Sequence, residues 1–244
     1  MSARTFLLGM NAKAYQGAAG AVLSALSEMS NVKDVSLSLE AGEADVTTRA
    51  NSGWRASAAT LRECTAEFEM LWKPGDPAFQ ALKRAFLTSG TVRMAFLTGA
   101  VDGEDAEGPV GDFSIPKFNR NEPLEEGVSV PVTAKLAVFD KWLEPPIVAD
   151  QTFNVSETAL DNDSVDTVVA TKGDDMTDET LVYAITAQST AGVFAIDSAT
   201  GEITVADNTN LGSSGDIHTL AVKISYATSG LPYATAAVTI NVTA

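Results

Sequence analysis

The chain has 244 residues, with 16 Lys plus Arg against 32 Asp plus Glu and a formal charge of -16. That length suits one large or two ordinary domains, and the charge argues against a protein that holds nucleic acid by neutralising phosphates. The single cysteine, Cys64, rules out an intrachain disulfide and is compatible with synthesis in a reducing cytoplasm. No run of about 18 apolar residues occurs, so no membrane span is expected, and Phe6-Leu7-Leu8 falls far short of a signal-peptide core.

In chain order, a first strand is expected near residues 12–15. Two alternating strands then flank a long polar loop within residues 32–72. Val35, Leu37 and Leu39 alternate with Ser36, Ser38 and Glu40, and Ala66, Phe68, Met70 and Trp72 alternate with Thr65, Glu67, Glu69 and Leu71. This is the period of half-buried strands. A structureless connection of roughly 20 residues is unusual inside a compact domain and is usually functional. One helix follows: Asp76 can cap its free N–H groups, Pro77 suits its first position, and Phe79, Leu82 and Phe86 recur at helical spacing until Gly90. Strands are then expected over residues 91–97, 112–118 and 128–139, the last with Val128, Val130, Val132, Ala134, Leu136 and Val138 on one face. The first part thus reads as a β-sandwich or barrel carrying one α-helix.

The loop holds Asp45-Val46-Thr47-Thr48-Arg49 and Gly53-Trp54-Arg55. Strand, long loop and strand with these segments, followed by one helix and closing strands, resembles the major tail tube proteins of long-tailed bacteriophages. The resemblance implies a virion tail protein made in the bacterial host cytoplasm. Its fold would be a tail-tube β-sandwich or barrel, and its first partner would be itself, as homohexameric rings stacked into a tube. Further implied partners are the tape measure and tail terminator or tip proteins, double-stranded DNA passing through the lumen without specific binding, and the host cell surface. The loop reaches a neighbouring subunit in that family, so the resemblance assigns Asp45, Arg49, Trp54 and Arg55 to a subunit interface. Arg and Trp are residue types that anchor interfaces. The opposing reading is an Asp45–Arg49 pair within the chain and a Trp54 packed under its own loop.

Residues 101–112 gather Asp102, Glu104, Asp105, Glu107 and Asp112 among three glycines. They lack the Asp ladder and terminal Glu of a calcium loop. A solvated hairpin loop is the plain reading, and a lumen-facing acidic surface that repels DNA phosphates is the one the family suggests.

The chain divides near Leu143-Glu144-Pro145-Pro146, because two prolines halt both helix and interior strand. Residues 1–145 carry 14 basic against 19 acidic residues, whereas residues 146–244 carry 2 against 13. The expected domains are therefore 1–145 and 146–244. The second reads as an all-β, immunoglobulin-like sandwich of short strands, expected at 153–155, 167–170, 181–185, 194–196, 203–205, 219–226 and 234–242.

Residues 193–205, VFAIDSATGEITV, resemble the F-x-I-D-x-x-T-G-x-I segment of cadherin-like repeats, and Tyr183, residues 153–157 and the closing AAVTINV extend the likeness. Calcium does not follow from it. Glu157 matches the family's early Glu, but Lys172 intrudes in the next acidic segment and residues 210–214 and 225–227 lack the later carboxylates. The expectation is a calcium-independent decoration domain with Asp174, Asp175, Asp178 and Glu179 as a solvated surface.

No catalytic, cofactor or metal residue is expected. His218 is the only histidine and reads as a surface or packing residue; Cys64 has no histidine beside it to activate the thiol. No phosphate loop or Cys/His metal spacing occurs. The rival reading, suggested by the C-terminal part alone, is a secreted or cell-surface adhesin.

Overall fold

The computed structural model describes residues 8–104, 106–228 and 230–244. Of the sequence features above, Phe6, Leu7 and Asp105 lie outside the described residues. The chain forms two compact units. One joins residues 14–96 to 110–140, and the other joins residues 8–13 and 97–109 to 141–244.

In the first unit, strands β1 (Lys13–Gly17), β2 (Ser27–Glu28), β3 (Val32–Asp45), β4 (Ser57–Leu71), β5 (Thr91–Leu97), β6 (Gly108–Phe118) and β7 (Ser129–Leu143) build one sheet. Its order is β2-β1-β5-β6-β7-β4-β3. The order does not close on itself, so β2 and β3 are edges and the barrel alternative does not apply. Among the described residues one α-helix, α1 (Pro77–Thr88), lies between β4 and β5. Asp76 Oδ1 accepts from the Phe79 amide at 2.9 Å, Pro77 occupies the first turn, and Ser89 ends the helix in the left-handed conformation.

Alternation makes the core. Ala66, Phe68 and Met70 of β4 share one face with Val130, Val132 and Ala134 of β7, and with Val92, Met94 and Phe96 of β5 and Phe113 and Ile115 of β6 they form a single apolar cluster. The helix adds Ala78, Phe79, Leu82 and Ala85 to that cluster. Phe79 meets Trp72 and Phe118 edge-on, with centroids 5.0 and 5.4 Å apart. Phe86, expected in the core by its spacing, is 41% exposed and stacks on Phe118. Gly111 of β6 is required by close approach, since a Cβ there would stand 2.5 Å from Leu136 Cδ1 and 2.6 Å from the Val138 carbonyl oxygen. Elsewhere in this unit Arg93 is buried with its guanidinium 3.7 Å from Asp112 and in an ion pair with Asp140.

The second unit is a sandwich. One sheet has the order β12-β15-β16-β9 and the other β10-β14-β13. Their strands are β9 (Gln151–Ser156), β10 (Ser164–Thr167), β12 (Leu181–Gln188), β13 (Phe194–Ile196), β14 (Glu202–Val205), β15 (Ile217–Tyr226) and β16 (Tyr233–Thr243). A small pair of β8 (Ile147–Val148) with β11 (Ala170–Thr171) completes it. Strand β9 runs parallel to β16 while the β12–β15 and β15–β16 pairs are antiparallel. Phe153, Tyr183, Phe194, Ile203, Val222, Val238 and Ile240 from both sheets fill one core.

The motif at residues 194–203 is structural. Asp197 Oδ1 accepts from the amides of Ala199 and Thr200, at 2.9 and 2.7 Å, and from the Thr200 hydroxyl. These donors hold its pKa below the ordinary carboxylate value. Gly201 then turns at φ +77, where a side chain would crowd the Tyr183 ring and the Val168 carbonyl, each 3.1 Å away.

Strand β7 continues to Leu143, which is buried, and β8 begins at Ile147. The expected acidic surface at residues 174–179 is corrected in part: Asp174, Asp175 and Asp178 are exposed, but Glu179 is buried and pairs with Lys141 at 3.1 Å. The carboxylate of Asp175 accepts from the Trp142 amide. Burial would raise the pKa of Glu179, yet hydrogen bonds with Thr228 and the Lys141 ammonium bring it below its ordinary 4.5.

Candidate assembly arm

Strands β3 and β4 pair along nearly their whole length, from Val32↔Met70 to Asp45↔Ser57. Only the inner end of β4, Thr65 to Leu71, also pairs with β7. Beyond Thr65 the two strands leave the sheet as an arm. The connection expected to be a long loop is therefore mostly ribbon, and only residues 46–56 lie outside its strands. Sequence periodicity stopped the strands early because past Leu39 and Cys64 the arm has no core face to alternate against.

The ladder shifts register between Lys33 and Ser36 and again, within the arm, between Ala41 and Glu43. Gly42 sits there, and a Cβ on it would collide with the Thr60 hydroxyl. Along the arm Leu39 is 56% and Leu61 84% exposed. A two-stranded ribbon is marginal by itself in water, so apolar residues left outside a core point to a partner.

The tip is ordered by its own hydrogen bonds. Asp45 Oδ1 accepts from the Thr47 amide at 2.8 Å, and the Val46 amide donates to the Ala56 carbonyl at 2.9 Å. The Ala56 amide donates to the Thr47 hydroxyl at 2.9 Å. Thr48 caps the 3-10 turn Arg49–Asn51, its amide and hydroxyl donating to Asn51 Oδ1 at 2.9 and 2.7 Å. Ser52 and Gly53 then reverse the chain with positive φ.

The four residues named from the sequence are all here and play different parts. Asp45 builds the turn: Thr47 hydrogen bonds depress its pKa, and among the described residues no ion pair joins it to Arg49. Trp54 is 80% exposed and does not pack under its own loop. Arg49 and Arg55 are exposed on either side of it. Sequence reading missed Leu61 and Arg62, which are exposed farther down the arm on β4. The available signal was charge: residues 46–62 hold three arginines and no carboxylate in a chain of -16.

Other polar candidates are engaged elsewhere. His218 is buried, donates from Nε2 to the Leu211 carbonyl at 2.8 Å and meets the Phe194 ring edge-on, a packing role. Cys64 is a free, buried thiol whose pKa is raised by desolvation. In the acidic segment, Glu104 accepts from Thr235, Glu107 from Trp142 Nε1 at 3.1 Å, and Asp112 from the Gly20 amide at 3.0 Å. Glu157 accepts from the Ser214 amide at 2.8 Å. Among the described residues no three His, Cys, Asp or Glu side chains gather as a metal ion would require, and no helix is long and apolar enough to cross a membrane.

Residues 151–243 match the family model of the cadherin domain. No curated protein matches the chain by sequence. Among solved structures, the chain is similar to a component of the "virion of native gene transfer agent (GTA) particle", with 13% identity, 55% of this chain and 99% of that chain covered, and a TM-score of 0.44. It is also similar to the SPP1 tail tube, with 12% identity, coverage of 55% and 77%, and a TM-score of 0.46. A third similarity is to Drosophila N-cadherin, with 18% identity, coverage of 57% and 44%, and a TM-score of 0.35.

Proposed function

We propose that this protein is a structural, non-enzymatic subunit of a phage-type virion tail, whose N-terminal part self-associates into a tube. In this reading residues 1–145 polymerise as stacked hexameric rings around a lumen that conducts double-stranded DNA. Residues 146–244 decorate the outside and contact the host surface, and tape measure, terminator and tip proteins set the ends. The protein is made in the bacterial host cytoplasm and resides in the virion tail. Asp45 shapes the arm tip, and Arg49, Trp54 and Arg55 meet a neighbouring subunit.

The observation that carries this reading is the arm: a ribbon that leaves its sheet with Leu39, Trp54 and Leu61 exposed. An element built this way has no use in a monomer. Electron microscopy of the purified protein at rising concentration tests it. Rings or hollow tubes are expected, and a strictly monomeric chain across concentration and salt, even with tail-tip or tape-measure partners supplied, overturns it. The cadherin-type segment at residues 151–243 favours a second reading, an adhesin. That reading expects the monomer to bind cells and never to polymerise.

A further inference from the structure

The arm tip and the β6–β7 loop lie at opposite ends of one sheet and carry opposite charge. Arg49 and Arg55 stand in the tip, residues 46–56, with no carboxylate among them, beside exposed Trp54. The loop, residues 119–128, contains Glu122, Glu125 and Glu126 against one arginine, Arg120. Arg120 is held by Glu122 and lies over the Trp72 ring, 5.0 Å from its centroid. At the loop's centre Leu124 is 100% exposed. Glu125 and Glu126 are exposed too; Glu126 lies in the field of Lys33, which is paired with Glu69 at 2.8 Å.

The register settles the placement. Leu71 pairs with Ser129, where the loop enters β7, and Met70 pairs with Val32, the start of β3. The tip follows Asp45 at the far end of that 14-residue strand, a rise of about 45 Å. One copy therefore cannot bring its own tip to its own loop. Two copies in the same orientation can, and a head-to-tail contact of this kind propagates into a filament wherever its rotation does not close a ring.

We propose that the arm tip docks on the 119–128 loop of a second copy of this chain. Leu124 meets the Trp54 surface, and Glu125 and Glu126 face Arg49 and Arg55. The inference rests on the tube reading and supplies its axial contact.

Charge exchange tests it on the full chain. One variant carries Arg49→Glu and Arg55→Glu, another carries Glu125→Lys and Glu126→Lys, and a third carries all four. The critical concentration for assembly is measured by light scattering and microscopy. Each reversal alone is expected to raise it about tenfold or more, and the combined variant to return it within about threefold of the parent. Oxidation of a mixture of Ala50→Cys and Leu124→Cys chains is expected to give cross-links that neither chain gives alone.

Parent tubes that form while either reversal assembles normally, while the combined variant is not rescued, or while only like-with-like cross-links appear, overturn the docking and leave the tube reading standing. A parent that never self-associates removes both.

Discussion

At residue scale, exposure separates side chains that serve the fold from those kept for another molecule. Trp54 is 80% exposed and its neighbours are polar or charged, so Trp54→Ala is expected to change monomer stability by no more than about 0.5 kcal/mol. The same change is expected to suppress self-association, because a large aromatic at an interface carries a disproportionate share of binding. Thermal unfolding and sedimentation on the same samples check both halves. Glu179 is the opposite case. Lys141 and Thr228 lower its folded pKa below 4.5, so its stabilisation is present above the unfolded value and is lost as pH falls through the folded one. Glu179→Gln is therefore expected to lower the melting temperature at pH 7, with the gap to the parent closing as pH drops below 4.5. A gap independent of pH would assign the loss to packing.

At element scale, the question is what each ribbon or strand needs from its neighbours. The β4–β7 ladder ends at Thr65, and past it only Cys64 in the core and the Glu63–Lys135 pair at 3.7 Å tie the arm down. Replacing residues 42–61 by Asn-Gly joins Ala41 to Arg62, a pair already in register, through a two-residue turn suited to a hairpin. This shortened chain is expected to unfold cooperatively within about 2 °C of the parent, since few buried contacts are lost, and to form no tubes. Loss of cooperative unfolding would make the arm part of the monomer's core. Gly111→Ala tests the sheet instead. Its added methyl must displace the Val138 carbonyl, 2.6 Å away, at a cost of about 2 kcal/mol or more read by denaturant titration.

For the whole molecule, the charge is unevenly divided, with 2 basic and 13 acidic residues after residue 145. Crowded around a tube, such parts are tolerated where water and salt separate them, and screening acts over about 8 Å at physiological ionic strength. A chain ending at residue 146 is expected to polymerise into a thinner tube, seen by microscopy. It should also melt lower than the parent, because Lys141, Trp142 and Glu104 lose partners at Glu179, Asp175 and Thr235. Truncated chains that fold yet do not polymerise would place part of the assembly surface after residue 146.

Much was legible in the sequence because local chemistry decides it. Period-two alternation marked β3, β4 and β7, Asp76 and Pro77 marked the start of α1, and the likeness of residues 193–205 to a cadherin-like segment marked the C-terminal sandwich. The candidate residues 45–55 were legible as an unusual interruption, since a compact domain seldom leaves so long a connection. Three things depended on tertiary structure. Exposure does not follow from residue type, so Glu179 proved buried because Lys141 comes to it from a distant strand. The arm's length required knowing where the β4–β7 ladder ends, since a strand outside the core keeps its hydrogen bonds but loses the alternation that reveals it. And the opposition of Arg49 and Arg55 to Glu125 and Glu126 across one sheet is a matter of register, which side-chain pattern alone does not specify for residues that face solvent.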